Sequence, residues 1–182
     1  MLPLNGRATD FFKASRGLRQ GCPLSPLLFV LQDSVLSFLL NKKQTEQEIM
    51  GLNIARGVKN INHALFADDS LLLGTASLST AKHFKEVLDD YCEDSGSRFN
   101  KGKCHIYYRN SSARSLQAIS NCFGFATSSS WSSFKYLGLT VFQKRPSAKI
   151  GCRCWKNLSS KSILGAPIGS IWLARQCLSK LF

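Results

Sequence analysis

The segment His63-Ala-Leu-Phe-Ala-Asp-Asp-Ser-Leu-Leu-Leu73 constrains this chain more than any other. Apolar residues flank two adjacent acids, a pattern that reads as strand, tight turn, strand, with Asp68 and Asp69 at the turn. Neighbouring carboxylates repel one another, and an apolar hairpin gains nothing from carrying both. A hard divalent cation removes that cost, because Mg²⁺ takes oxygen ligands and is commonly held by one or two carboxylates together with substrate phosphates. Leu65-Phe66 before the pair and Leu71-Leu72-Leu73 after it would fix the turn on a sheet, as positioned chemistry requires. The plainer alternative is an ordinary surface turn, where Asp is common. An isolated Asp-Asp favours that alternative, so the surrounding residues decide.

Those residues supply the rest of an α+β domain. Asn5-Gly6, between the apolar flanks of Leu2 to Phe12, is a hairpin signal. A turn-rich stretch, Ser15-Arg-Gly-Leu-Arg-Gln-Gly-Cys-Pro23, precedes a helix expected to begin with Ser25 as N-cap and Pro26 at the first helical position. Leu27, Leu28, Leu31, Val35, Phe38 and Leu39 follow helical spacing and mark its apolar face. Leu52-Asn-Ile-Ala55 is a short strand candidate. Ser79 is expected to cap a second helix, with Ala81, Phe84, Val87, Leu88 and Tyr91 on one face and Gly96 just beyond its end. Ser111 to Ala118 predicts a short third helix, and Tyr136-Leu-Gly-Leu-Thr-Val-Phe142 a strand pair broken at Gly138. From Ser159 onward the Ser- and Gly-rich sequence supports no assignment. The order β-α-β-β-α-β predicts an antiparallel sheet with helices packed on one face.

Charge points to a polyanion. Residues 1–94 hold 10 Lys and Arg against all 11 acids, whereas from Ser95 onward there are 14 Lys and Arg and no acid. Such a surface suits phosphates, each neutralised phosphate releasing counterions; a merely solubilising face, or a sequence drifting without selection, is the competing explanation. Seven cysteines form no C-x-x-C pair, and nothing at the N-terminus resembles a signal peptide, so reduced intracellular thiols are expected. Cys152 and Cys154 are too close for usual zinc spacing. The longest apolar run, Leu24 to Leu40, contains Ser25, Pro26, Gln32, Asp33, Ser34 and Ser37 and falls short of a membrane span.

Taken together the motifs resemble a partial palm domain of a LINE-type (non-LTR) retroelement reverse transcriptase, with plant elements nearest. Phe66-Ala-Asp-Asp69 resembles the metal-binding hairpin of that family. Arg16-Gly-Leu-Arg-Gln-Gly-Cys-Pro-Leu-Ser-Pro26 resembles the loop and helix start that contact template and incoming nucleotide. Ser95-Gly96, Asn100 and Lys103 match a following SG-x-x-x-N-x-x-K segment, Tyr136-Leu137-Gly138 the turn that grips the primer end, and Asn5-Gly6 with Phe11-Phe12 the hairpin before the loop. The resemblance spans roughly residues 3–145. It implies an RNA-directed DNA polymerase with a two-metal nucleotidyl transfer, Asp68 and Asp69 holding Mg²⁺ or Mn²⁺, and Lys103 protonating or neutralising the leaving pyrophosphate. Arg16, Arg19, Gln20, Gly21 and Pro23 would contact template and nucleotide, and Tyr136, Leu137 and Gly138 the primer. RNA template, DNA primer and deoxynucleoside triphosphate are the implied partners, in the nucleus or an organelle, with no membrane and no oligomeric state specified.

The residues also admit plainer roles. Gly21 leaves backbone open to a base pair or sugar, or is simply a loop glycine. Arg16 and Arg19 can pair phosphates or be solvated. Phe99, Tyr107 and Tyr108 can stack on bases or build a strand core. His63, His83 and His105 share no metal spacing and are expected to be structural or surface residues.

The match departs from the family in three places. The family holds its metals with a further Asp on a strand upstream of the Arg16–Pro26 loop; here the sole acid before that loop is Asp10, inside the short hairpin. Cys22 stands where the family usually has Asp. After Phe142 the match fades. The expectation is therefore a palm at 1–145 without the upstream catalytic strand and fingers, a degenerate or thumb-like tail at 146–182, and an unpaired sheet edge where the central strand is missing. Such a chain is expected to be inactive alone. The alternative is a non-enzymatic, basic nucleic-acid-binding remnant, and a third possibility is a product with no stable fold.

Overall fold

The computed structural model describes residues 3–4, 7–8, 17–19, 21–53, 57–109, 112–127, 132–137, 139–142 and 170–174. As the hairpin signal predicts, β1 (Pro3–Leu4) pairs antiparallel with β2 (Arg7–Ala8), Leu4 lying opposite Arg7. The first helix, α1, runs Ser25–Thr45. It begins one residue earlier than a Ser25 cap would require, with Leu24 in the cap position and no side-chain cap. The Ser25 hydroxyl turns back and donates to the Arg19 carbonyl at 2.7 Å.

The apolar face expected for α1 is also corrected. Its fully buried residues are Leu36 and Leu40, whereas Leu27 and Phe38 are 67% and 66% exposed, with Leu31 and Val35 also exposed. The helix is apolar on more than one side, so spacing alone does not select which side packs. The buried side is the one that meets α2 and β3.

Leu52, the first residue of the strand expected at 52–55, forms a bridge with Ile61, and residues 54–55 lie outside the described residues; then come β3 (His63–Phe66) and β4 (Asp69–Thr75). Next is α2 (Leu78–Ser95), capped by Ser77 rather than Ser79. Ser77 has the extended backbone a cap needs, and its hydroxyl accepts the Thr80 N–H at 3.1 Å. The expected face of α2, Ala81, Phe84, Val87, Leu88 and Tyr91, is buried, and Gly96 ends the helix at φ +67°. Then follow β5 (His105–Arg109), α3 (Ala113–Phe123, capped by Ser112), β6 (Ala126–Thr127), β7 (Ser133–Tyr136), β8 (Leu139–Phe142) and β9 (Ser170–Ala174).

The main sheet has the order β3-β4-β9-β5-β6, antiparallel except for the parallel β5–β6 pair. Its centre was not foreseen. An open edge was expected there, but β9 fills the place, pairing Leu71 to Thr75 of β4 with Ala174 to Ser170 and His105 to Arg109 of β5 with the same residues. Every backbone group of the two inner edges that meets β9 thereby gains a ladder partner.

Both faces of the sheet are covered. On one, Leu72 and Ile106 pack with Leu36 and Leu40 of α1, Phe84, Leu88 and Tyr91 of α2, and Leu116, Ile119 and Phe123 of α3. On the other, Leu71, Leu73 and Leu52 pack with Phe134 of the β7–β8 hairpin, flanked by Tyr107 and Tyr136. The helices thus lie on one face, as predicted, and the small hairpin closes the second.

This assignment of faces has a direct check. Leu40→Ala should lower unfolding free energy by about 2–5 kcal/mol, and Leu27→Ala should change it by less than about 0.5 kcal/mol. Urea denaturation midpoints of the two variants measure the contrast, and equal losses would contradict the packing of α1.

Candidate nucleotidyl-transfer site

The β3–β4 hairpin pairs His63 with Leu72, Ala64 with Leu71, Leu65 with Ser70 and Phe66 with Asp69, leaving Ala67-Asp68 as a two-residue turn. Ala67 adopts φ +48°, a left-handed backbone that a tight hairpin demands and an alanine adopts at some cost. Asp68 is exposed in the turn, and Asp69 is half-buried as the first residue of β4. Strand alternation puts Asp69 on the face of Leu71 and Leu73, toward the β7–β8 hairpin.

Tyr136 comes from that hairpin. Its hydroxyl donates to the Ala64 carbonyl at 3.2 Å, tying the end of β7 to β3. Burial, and then the negative charge of Asp69, push the phenol pKa up, which puts Tyr136 within the field of the acidic pair. Leu137 follows at φ +49° in the two-residue connection to β8. Gly138 lies outside the described residues. The hairpins that carry Asp68 and Leu137 are thus joined through a hydrogen bond that no sequence motif signals.

Lys103 reaches the same end of the sheet by register. Leu71, Ala174 and His105 lie in one row across β4, β9 and β5. Asp69 and Lys103 each stand two residues before that row. Asp69 opens β4, and Lys103 lies in the turn that leads into β5 at the same end. Asn100 shapes the turn that presents Lys103: its backbone carbonyl accepts the Lys103 N–H at 3.0 Å and its side-chain oxygen the Gly102 N–H at 3.1 Å. Ser95-Gly96 is likewise structural, Gly96 ending α2 and Ser95 donating its hydroxyl to the Tyr91 carbonyl.

The loop before α1 is oriented by what α1 touches. Ser37 meets His63, while Val30 shares a cleft with Ala64 and Leu65. The helix therefore runs opposite to β3, and its N-terminal end points toward the Asp68 turn. Arg19 and Pro23 are exposed there; Arg16 and Gln20 lie outside the described residues. Gly21 has φ +80°, and a Cβ built on it meets nothing within 4 Å. Its glycine is explained by backbone conformation rather than by a crowded approach. The Cys22 thiol pKa is lowered, chiefly by hydrogen bonding from the Leu24 backbone, with help from Ser25 and the Arg19 charge.

Among the three aromatics weighed as base-stacking surfaces, Tyr107 stacks on Phe134 with ring centres 4.3 Å apart. Tyr108 and Phe99 pack against the helix-side core. They build the domain instead of offering a stacking platform.

The donor set at the hairpin suits a divalent cation: carboxylate oxygens, at an exposed turn where phosphates have room to complete a coordination shell. Among the described residues no group of three or more His, Cys, Asp or Glu is placed to hold a metal. No helix among them is long and apolar enough to cross a membrane.

Residues 1–141 match the family model of the reverse transcriptase, an RNA-dependent DNA polymerase. The chain belongs to the reverse transcriptase family. It is also 45% identical, over 67 residues, to an uncharacterized mitochondrial protein of Arabidopsis thaliana; the match covers 37% of this chain and 55% of that relative's length. The chain thus spans about half the length of the curated relative it matches. No solved structure matches it. As a reverse transcriptase fold, the α+β arrangement is a palm-like sheet backed by three helices.

Two outcomes test the geometry of the loop. At pH 7.5, iodoacetamide should modify Cys22 before Cys92, because the thiolate is the nucleophile and burial raises the Cys92 pKa to about 11; peptide mass mapping gives the order. Gly21→Ala should cost about 1–2 kcal/mol, through backbone strain without a clash, read as a lower thermal midpoint.

Proposed function

We propose that this chain is the palm of an RNA-directed DNA polymerase from a LINE-type (non-LTR) retroelement, and that the 182-residue chain is inactive by itself. The observation that carries the reading is convergence. Asp68, Asp69 and the turn bearing Lys103 lie at one end of the main sheet, Tyr136 is bonded to β3 beside them, and the end of α1 that follows Arg19 points the same way.

The reaction is attack by a primer 3′-hydroxyl on the α-phosphorus of a nucleoside triphosphate, forming the new P–O bond as pyrophosphate leaves. Asp68 and Asp69 would hold Mg²⁺ or Mn²⁺, which when bound neutralises phosphate charge and supports the in-line displacement. Lys103 would neutralise or protonate the departing pyrophosphate. Arg16 and Arg19 would pair phosphates of template or nucleotide, with Gln20, Gly21 and Pro23 forming the rest of that contact. The Tyr136–Gly138 turn would seat the primer end, its position fixed by the Tyr136 bond to β3.

Inactivity of the isolated chain is supported by the two strands beside β4. One reads His-Ala-Leu-Phe and the other Ser-Ile-Trp-Leu-Ala, so neither brings a third carboxylate to Asp69. Phosphoryl transfer draws nearly all its catalysis from positioning and charge stabilisation, so a missing metal ligand removes most of it. The mitochondrial relative favours an organelle over the nucleus as the compartment.

Primer extension on an RNA template tests the proposal. The 182-residue chain should give no product, whereas Mn²⁺ binding followed by electron paramagnetic resonance should be present and should fall at least about tenfold in Asp68→Ala/Asp69→Ala. Joining an upstream segment that carries the third Asp and the fingers should restore extension. Product from the 182-residue chain that vanishes in the double variant would refute the inactive reading. The basic stretch after Ser95 favours a second reading, a nucleic-acid-binding remnant. Salt-dependent RNA binding that needs no Mg²⁺ and survives the double variant, with no Mn²⁺ site, would support it instead.

A further inference from the structure

Away from the acidic pair, three side chains form a relay that the polymerase reading does not use. Ser37 Oγ lies 2.8 Å from His63 Nε2, and His63 Nδ1 lies 2.5 Å from Asn62 Oδ1. Asn62 is buried, and its amide Nδ2 donates to the Leu40 carbonyl at 2.8 Å. A carbonyl can only accept, so this bond fixes which end of the amide faces the imidazole. Asn62 Oδ1 is an acceptor, and the proton of neutral His63 therefore sits on Nδ1. Nε2 is left with its lone pair, and the Ser37 O–H donates to it. That is the order nucleophile, base, orienting group used for nucleophilic hydroxyls.

The relay opens onto a site. Ser37 and His63 line an open cleft of about 380 Å³ between α1 and β3, together with Val30, Ala64, Leu65 and Asp33. Val30, Ala64 and Leu65 offer aliphatic contacts beside the polar Ser34, which suits a small uncharged group, and the Asp33 carboxylate disfavours an anionic one.

We propose that Ser37, His63 and Asn62 form a nucleophilic serine site that accepts the acyl group of small, uncharged carboxylic esters. Ser37 Oγ forms the bond to the acyl carbon, the ester C–O bond breaks, the alkoxide or phenolate leaves, and the Ser37 proton passes to His63 Nε2. Asn62 acts as a positioning residue, holding the imidazole in the tautomer that can take that proton. None of the three groups is an oxyanion donor, so the expected chemistry is a single acylation rather than fast turnover.

The charge environment suits the base. His63 has its pKa lowered, first by burial and then by Lys59. The charged group that acts on it is Lys59, from the segment before β3; Asp33 of α1 lines the same cleft, and the partner of His63 on β4 is Leu72. A lowered pKa leaves His63 neutral, and so able to accept a proton, throughout the neutral range.

The test is incubation of the full 182-residue chain with p-nitrophenyl acetate, following p-nitrophenolate release and locating acetyl groups by peptide mass mapping. The expected result is a burst of about one equivalent, with acetyl on Ser37. Its rate should rise with pH through a midpoint below 6.5, the ordinary histidine value from which His63 is lowered. Ser37→Ala should abolish the burst, and His63→Ala should slow it by at least about 100-fold; circular dichroism confirms that each variant is folded. The pH profile of the unaltered chain needs no variant, so a misfolded variant does not spare the proposal. Acetyl found on lysines alone, Ser37 labelling that ignores His63, or a rate that climbs only above pH 8 would each overturn it. None of these readouts involves template, primer or divalent cation, so they stand or fall apart from the polymerase reading.

Discussion

Burial of β4 on both faces is the constraint on which the rest of the structure depends. Leu72 points into the layer of three helices, while Leu71 and Leu73 point into the layer formed by Leu52 and the β7–β8 hairpin. Each such leucine contributes roughly 1.5–3 kcal/mol of apolar burial, and together they leave the strand no freedom to rotate or slip. A slip of one residue would exchange the faces of all three and move Asp69 from the Tyr136 side to the helix side. The position of the acidic pair is thus a consequence of the three leucines behind it. Gly74 continues the same logic: a Cβ there would come within 2.8 Å of Phe84, so the close approach of α2 to β4 depends on its absence.

Where sequence pattern and physical cause coincided, the fold was legible. The run Leu65-Phe66, Asp68-Asp69, Leu71-Leu72-Leu73 announced a hairpin, and α2 announced its buried face because only one side of it is apolar. Helix α1 did not, since leucines on several sides give periodicity no preferred direction. Caps slipped by one or two residues, from Ser25 and Ser79 to Leu24 and Ser77. A serine near a helix start is a signal of type and not of position, and the free hydroxyl of Ser25 found the Arg19 carbonyl instead.

The site was legible as motifs but not as geometry. That Asp69 and the turn bearing Lys103 share one end of a sheet follows from strand register, and that Tyr136 joins them follows from a long-range hydrogen bond; no single motif encodes either. The hydrogen bond from Tyr136 to Ala64 spans 72 residues of sequence, and the relay from Ser37 to His63 spans 26. Neither has a sequence spacing to betray it. The least legible element was β9. Its residues Ser-Ile-Trp-Leu-Ala are a plausible strand, but only pairing with both β4 and β5 shows that it belongs to this sheet.

The placement of β9 bears on how the chain comes into being. Translation delivers β3, β4, β5 and β6 well before residues 170–174, so among the described elements the middle of the sheet is the last piece to be made. Until it arrives, β4 and β5 each present a row of unsatisfied N–H and C=O groups to whatever strand is nearby, in a cell where nascent chains are crowded together. The helices can gather against Leu72 and Ile106 early, but the sheet cannot close until residues 170–174 have been made. A ribosome that stalls between β8 and β9 leaves a half-sheet with two adhesive edges. The longer that interval lasts, the longer the two edges stand open to a wrong partner.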